Sequence, residues 1–142
     1  LRRVSAALKM ITDIERVGDQ SADIADLNIQ LIKKKQKWDL SDISEMARAA
    51  TQMVNDAIDA YVNDDENLAR KVISSDDKID ELFVKTKDKI IDEIAADKAN
   101  GEKAIDTLMV AKYLERIGDH AVNIAEWVVF SVTGVHKTER IM

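Results

Sequence analysis

Glu115 with Asp119, Asp76 with Asp80 and Glu15 with Asp19 are carboxylate pairs spaced four residues apart in stretches of helical periodicity. That spacing stacks each pair on one helix face, one turn above the other. On a wheel of about 100° per residue, Leu108, Ala111, Glu115, Asp119, Val122, Glu126 and Val129 share a sector of roughly 80°, so acids interrupt an apolar stripe. Leu8, Ile11, Glu15, Asp19, Ala22, Asp26 and Ile29 repeat the arrangement near the start of the chain, and Asp76 and Asp80 interrupt Val72, Ile79 and Phe83.

An ionised carboxylate facing a bundle interior costs several kcal/mol unless it is paired. Like charges one turn apart cost an isolated helix a further few tenths of a kcal/mol. Ion pairs to Arg16, Arg116, Lys85 or Lys87, or a wet groove, would relieve this. The arginines stand about 100° off the stripe, which suits a rim or packing role. The other relief is a bound cation. Carboxylate oxygens suit divalent or ferric ions such as Mg, Mn, Fe and Zn, all-oxygen sites favouring the harder ones. The candidate ligands are Glu115, Asp119, Asp76, Asp80 and Glu126, with Glu15, Asp19 and Asp26 in the earlier stretch.

Gly18 and Gly118 each precede the aspartate inside these helices, where glycine costs up to about 1 kcal/mol relative to alanine. Close approach of another helix beside the acids, or a simple packing contact, would account for them. His120 points about 120° from the acidic stripe, and His136 lies past the helix end, so both are expected at the surface. Trp38 and Trp127 are expected to cover the bundle or an interface. Met46 and Met53 are core positions.

The elements that position these residues follow from composition and punctuation. Of 142 residues none is proline or cysteine and only four are glycine. Disulfides, thiolate sites and cysteine nucleophiles are excluded, and a turn-rich β fold lacks its turn residues. With 46% hydrophobic and 34% charged positions, the chain suits long amphipathic helices and is too apolar for disorder. A net charge of −6 disfavours a nucleic-acid surface. No apolar run is long enough to span a bilayer and no signal peptide is present, so a soluble cytoplasmic protein is expected.

Four helices are predicted. The first covers about residues 2–35 and ends in Lys33, Lys34, Lys35 and Lys37, cations that suit a helix C-terminus. Trp38 and Leu40 lead to the second, where Asp42 and Glu45 have capping-box spacing and Met46, Ala50, Met53, Ala57 and Tyr61 form the stripe. Asn63, Asp64 and Asp65 break it and cap the third, which carries Leu68, Val72, Ile79, Phe83, Ile90 and Ile94. Asn100 and Gly101 mark the next turn, and the fourth helix runs from about 102 to 132, with Gly134 as a left-handed cap.

The segment 14–26, IERVGDQSADIAD, aligns without gaps on 114–126, LERIGDHAVNIAE, at an offset of 100 positions. The first helix is therefore expected to be the third helix of an earlier repeat, whose missing opening would be about 60 residues if the two copies are of equal length. The expected organisation is all-α: 1–37 as the last helix of an incomplete three-helix bundle, 41–134 as a complete one, and 135–142 as a tail. By itself the first helix exposes Leu8, Ile11, Ala22 and Ile29, which predicts self-association.

These repeated segments strongly resemble the PhoU family of phosphate-system regulators. Residues 53–61 (MVNDAIDAY), the turn from Asp65 to Leu68, and 75–82 (SDDKIDEL) extend the resemblance over essentially the whole chain. It implies tandem three-helix bundles and a cytoplasmic, often dimeric protein, held at the inner face of the membrane by its partners. Those partners are the ATPase subunit of the high-affinity phosphate ABC transporter and the phosphate-sensing histidine kinase. The resemblance also implies negative regulation of the phosphate-starvation response and metal clusters bound through E/D-x-x-x-D motifs, here Glu115 with Asp119, Asp76 with Asp80, and Glu15 with Asp19. Asn123 stands where the first copy has Asp23, so the two sites need not be equivalent.

No catalysis is expected: the chain has no nucleophile with a paired base and no phosphate-cradling or dinucleotide glycine motif. A ferritin-like carboxylate metalloenzyme would want Glu-x-x-His on two helices, but Ile117 and Thr133 precede His120 and His136 at that spacing. A structural bundle with solvated acids is the remaining alternative.

Overall fold

A computed structural model describes residues 1–34 and 41–136. Its elements are α1 (Arg2–Lys33), α2 (Ser41–Val62), α3 (Glu66–Ser74), α4 (Asp76–Ala96), a short 3-10 turn (Lys98–Asn100) and α5 (Gly101–Thr133). Lys35, Lys37, Trp38 and Leu40, and the tail beyond His136, lie outside the described residues.

Helix α5 is the element on which the other helices pack. Ala104, Ala111, Gly118, Ala121 and Ala125 alternate with Val110, Leu114, Ile117, Ile124, Val128 and Val129, and all are buried. Small residues let neighbouring backbones come close, while the branched ones fill the space between them. The buried positions cover an arc of roughly 160° at 100° per residue. Glu115 and Glu126 are half-buried and Asp119 is exposed, just past one edge of that arc. The acids therefore rim the packing face of α5, where the sequence placed them within its stripe.

Helix α1 has two apolar faces. The one foreseen, with Leu8, Ile11, Ala22 and Ile29, is exposed. The other runs through Ala6, Met10, Asp13, Val17, Gln20, Ile24, Leu27 and Leu31, all buried or half-buried, at alternating spacings of four and three. That is the pattern of a coiled-coil seam, and α5 is the helix it meets. The two run antiparallel over their full length. Arg2 lies against Gly134 at one end, and at the other Lys34 reaches Glu102 at 2.6 Å and Asp106 at 3.0 Å.

The α2 stripe is as predicted for Met46, Ala50, Met53 and Ala57, joined by Ala60, with Tyr61 half-buried. Asp65 caps α3 by accepting from the Leu68 N–H at 3.0 Å. Gly134 takes the left-handed conformation at the end of α5, with φ 78°.

Two local expectations are corrected. Asp42 is no capping residue: it lies inside α2, buried, and binds Lys85 at 3.2 Å and Lys89 at 2.5 Å on α4. These lysines hold its carboxyl below the ordinary aspartate range, Lys89 foremost. The third helix is also not continuous. The Ser74 and Ser75 hydroxyls both donate to the Lys71 carbonyl, at 2.9 and 2.8 Å, and such back-bonding competes with the helical ladder. The chain breaks there and restarts as α4 at Asp76.

Candidate functional site

The break at Ser75 puts Asp76 and Asp77 in the first turn of α4, where the positive end of the helix dipole favours anions. Asp80 follows one turn later. From α5, Glu115 and Asp119 project one turn apart, and the buried Gly118 lies between them in sequence. A Cβ on Gly118 would stand 2.9 Å from Ile79 Cδ1 and 3.9 Å from Asp76 Oδ1. The missing side chain is what lets the start of α4, anchored by the fully buried Ile79, press against α5. Acids from the two helices are thereby brought into one group.

Their charges act on one another. The Asp76 carboxyl is pushed up to about 6, first by burial and then by Asp80, Asp119, Asp77 and Glu115. Asp80 is raised by burial, then by Glu115 and Asp77. Asp119, exposed at the rim but partly desolvated by the packing beside it, is raised first by that desolvation, then by Glu115 and Asp80. Lys112 opposes the rise at both; its Nζ lies 2.6 Å from Glu115 Oε1 and 5.1 Å from the centre of the Phe83 ring. Burial and like charge thus outweigh the helix dipole and the lysine.

Asp76 Oδ1 is sealed from solvent and has no hydrogen-bond partner, which is costly for a carboxylate. A hard cation is the natural complement of such a set, since it satisfies several oxygens at once. Among the described residues, no three Asp, Glu, His or Cys side chains are arranged around one point as a metal would require. The donor chemistry is of the type that suits a cation, while the described arrangement does not gather the acids around one point.

The remaining candidates lie apart. Glu126 is half-buried two turns further along α5 and is not among the groups that shift the cluster. Glu15, Asp19 and Asp26 are exposed on α1. A Cβ on Gly18 meets nothing within 4 Å, so close approach explains Gly118 and leaves Gly18 unexplained within this chain.

Two of the cations expected to neutralise the acids are engaged differently. Lys85 holds Asp42, and Arg116 lies 5.7 Å over the Tyr113 ring. Lys112, which does reach Glu115, went unremarked in the sequence, although its spacing of three residues on one helix is the signal for such a pair. The histidines are not free surface residues. His120 is half-buried with Nδ1 2.9 Å from Asp13 Oδ1 on α1, and His136 is buried, stacked on Trp127 at a centroid distance of 3.8 Å. No helix among the described residues is long and apolar enough to cross a membrane.

The family model for the PhoU domain matches residues 43–128. The chain is 33% identical over 134 residues to the phosphate-specific transport system accessory protein PhoU homolog of Clostridium acetobutylicum, covering 94% of this chain and 61% of that protein. It is 34% identical over 140 residues to PhoU homolog 1 of Thermotoga maritima, covering 98% of this chain and 60% of the relative. The crystal structure of PhoU from Pseudomonas aeruginosa superposes with a TM-score of 0.91 at 29% identity, over 95% of this chain and 65% of the other. The chain thus spans about three fifths of the length of the curated relatives it matches.

Proposed function

Since this chain belongs to the PhoU family, we propose that it serves as an accessory protein of a phosphate-specific transport system and holds the phosphate-starvation response down when phosphate is plentiful. The observation that carries this reading is its likeness, along 94% of its length, to a transport-system accessory protein. It acts by contact, without catalysing a reaction. Its partners are the ATPase subunit of the phosphate ABC transporter and the phosphate-sensing histidine kinase, met by a homodimer at the cytoplasmic face of the membrane. Residues 1–37 are the last helix of a first three-helix repeat, 41–134 a complete second repeat, and 135–142 a tail.

Within the second repeat, Asp76, Asp80, Glu115 and Asp119 hold a metal ion of the Mg, Mn, Fe or Zn type. A bound cation there supplies the positive charge that the crowded carboxylates lack. What supports this is the sealed Asp76 Oδ1 beside the close approach at Gly118. Asp76 and Asp80 bind from α4, and Glu115 and Asp119 from α5, so the ion ties the two helices together. Deleting the full-length gene tests the regulatory role: alkaline phosphatase activity should rise in phosphate-rich medium. Unchanged activity would overturn it.

A further inference from the structure

We propose that the groove between α2 and the break from α3 to α4 binds a small molecule carrying several phosphate groups. Its volume is about 490 Å³, within the range of small-ligand sites. Arg48 lines it from α2, Lys71 from α3 and Lys78 from α4, beside Glu45 and Asp56 of α2. The helix break shapes the wall opposite α2. Ser74 and Ser75 bond back to the Lys71 carbonyl, and Lys71 and Lys78 line the same groove from either side of the interruption.

The cations of this groove are not consumed by the acids beside them. Elsewhere Arg3, Lys34, Arg70 and Lys112 each lie 2.6 to 2.8 Å from a carboxylate oxygen. Here Lys78 Nζ stays 3.8 Å from Glu45 Oε1, beyond hydrogen-bond distance, and Asp56 Oδ1 instead accepts from the Gln52 amide at 2.8 Å. Among the described residues, the side chains of Arg48 and Lys71 enter no ion pair. Three cations thus line a groove with two acids, in a chain whose net charge is −6. Phosphate suits that local excess. The guanidinium fork of Arg48 matches two phosphate oxygens at once, and the lysines supply point charges from the facing wall. Three positive charges spread over two walls are met better by a short phosphate chain than by one phosphate ion. Neither the acid cluster nor a metal enters this inference.

The test is calorimetric titration of the full chain with inorganic triphosphate at about 0.15 M salt, with EDTA present so that no metal bridges phosphate to acids elsewhere. Four proteins are compared: the wild type, Arg48→Gln with Lys71→Gln, the control Lys87→Gln with Lys98→Gln, and Glu45→Gln. Each double variant removes two exposed cations, and circular dichroism verifies that all of them fold. The wild type should bind, and the control should match it. The groove double variant should bind about tenfold more weakly or worse, the scale of lost charge-assisted hydrogen bonds. Glu45→Gln should bind about two- to threefold more tightly by removing a like charge, a gain that misfolding cannot produce. No binding by the wild type, equal losses in the two double variants, or unchanged or weaker binding by Glu45→Gln overturns the proposal.

Discussion

Nδ1 of His120 lies 2.9 Å from Oδ1 of Asp13, across the seam where α1 runs antiparallel along α5. Asn123 Nδ2 donates to the same oxygen at 3.2 Å. Asp13 occupies a seam position otherwise dominated by apolar residues, and a polar group so placed fixes register between two helices. The contact joins residues 107 positions apart.

Asp13→Ala leaves two polar partners unanswered and should lower stability by about 1 to 2 kcal/mol. Amide exchange in α1 should accelerate more than in α2. Urea unfolding with site-resolved exchange checks this, and uniform acceleration would argue against a seam-specific role. Asp13→Asn, which keeps an acceptor, should cost less.

Stability of the metal-free chain should rise as pH falls from 7 towards 4. The Asp76 carboxyl sits at about 6 when folded and at 3.8 as a free group, so the folded state takes up its proton first. Its contribution is fully present below 3.8 and is lost as pH rises through 6. The raised Asp80 and Asp119 act in the same direction. Asp42, whose carboxyl is lowered, has the opposite sign, but only below its ordinary range. Asp76→Asn should flatten the profile and add about 1 kcal/mol at pH 7, a figure reduced for the solvent exposure of the group. Urea midpoints at pH 5 and pH 7 decide it; a wild type more stable at pH 7 contradicts the assignment.

The two glycines of the repeat should respond in opposite ways. Gly18→Ala meets open space and should stabilise the chain by up to about 1 kcal/mol through helix propensity. Gly118→Val presses on the buried Ile79 and should cost about 1 to 3 kcal/mol by overpacking, pushing α4 away from α5. Thermal melts of both variants are the measurement, and equal shifts would remove the close-approach reading of Gly118.

Under the proposed function, metal content is predicted to follow the acids of α4 and α5. Protein purified without chelator should carry metal, and Glu115→Gln with Asp119→Asn should lose most of it by elemental analysis. Glu15→Gln with Asp19→Asn should retain it, because those carboxylates are exposed on α1. Equal metal content in the two double variants would sink the assignment to α4 and α5.

Much of this arrangement is written locally in the chain. The α2 stripe, the Asp65 cap, the Gly134 terminus and the pairing of Glu115 with Asp119 depend on residues within a turn or two of each other, and helical spacing alone places them. So does the internal repeat, which is a property of the string itself. Tertiary structure decided what spacing cannot. How wide an arc of α5 is buried depends on how many helices surround it, and this moved its acids from the stripe to the rim. The second face of α1 was hidden because Asp13 and Gln20 interrupt it, and a polar residue reads as core only once its partner is in place. Asp42 is held by lysines more than 40 residues away, and the Ser75 break sets Asp76 against Gly118. Sequence determined which residues could share a helix face; packing between distant helices determined which faces are buried and which charges meet.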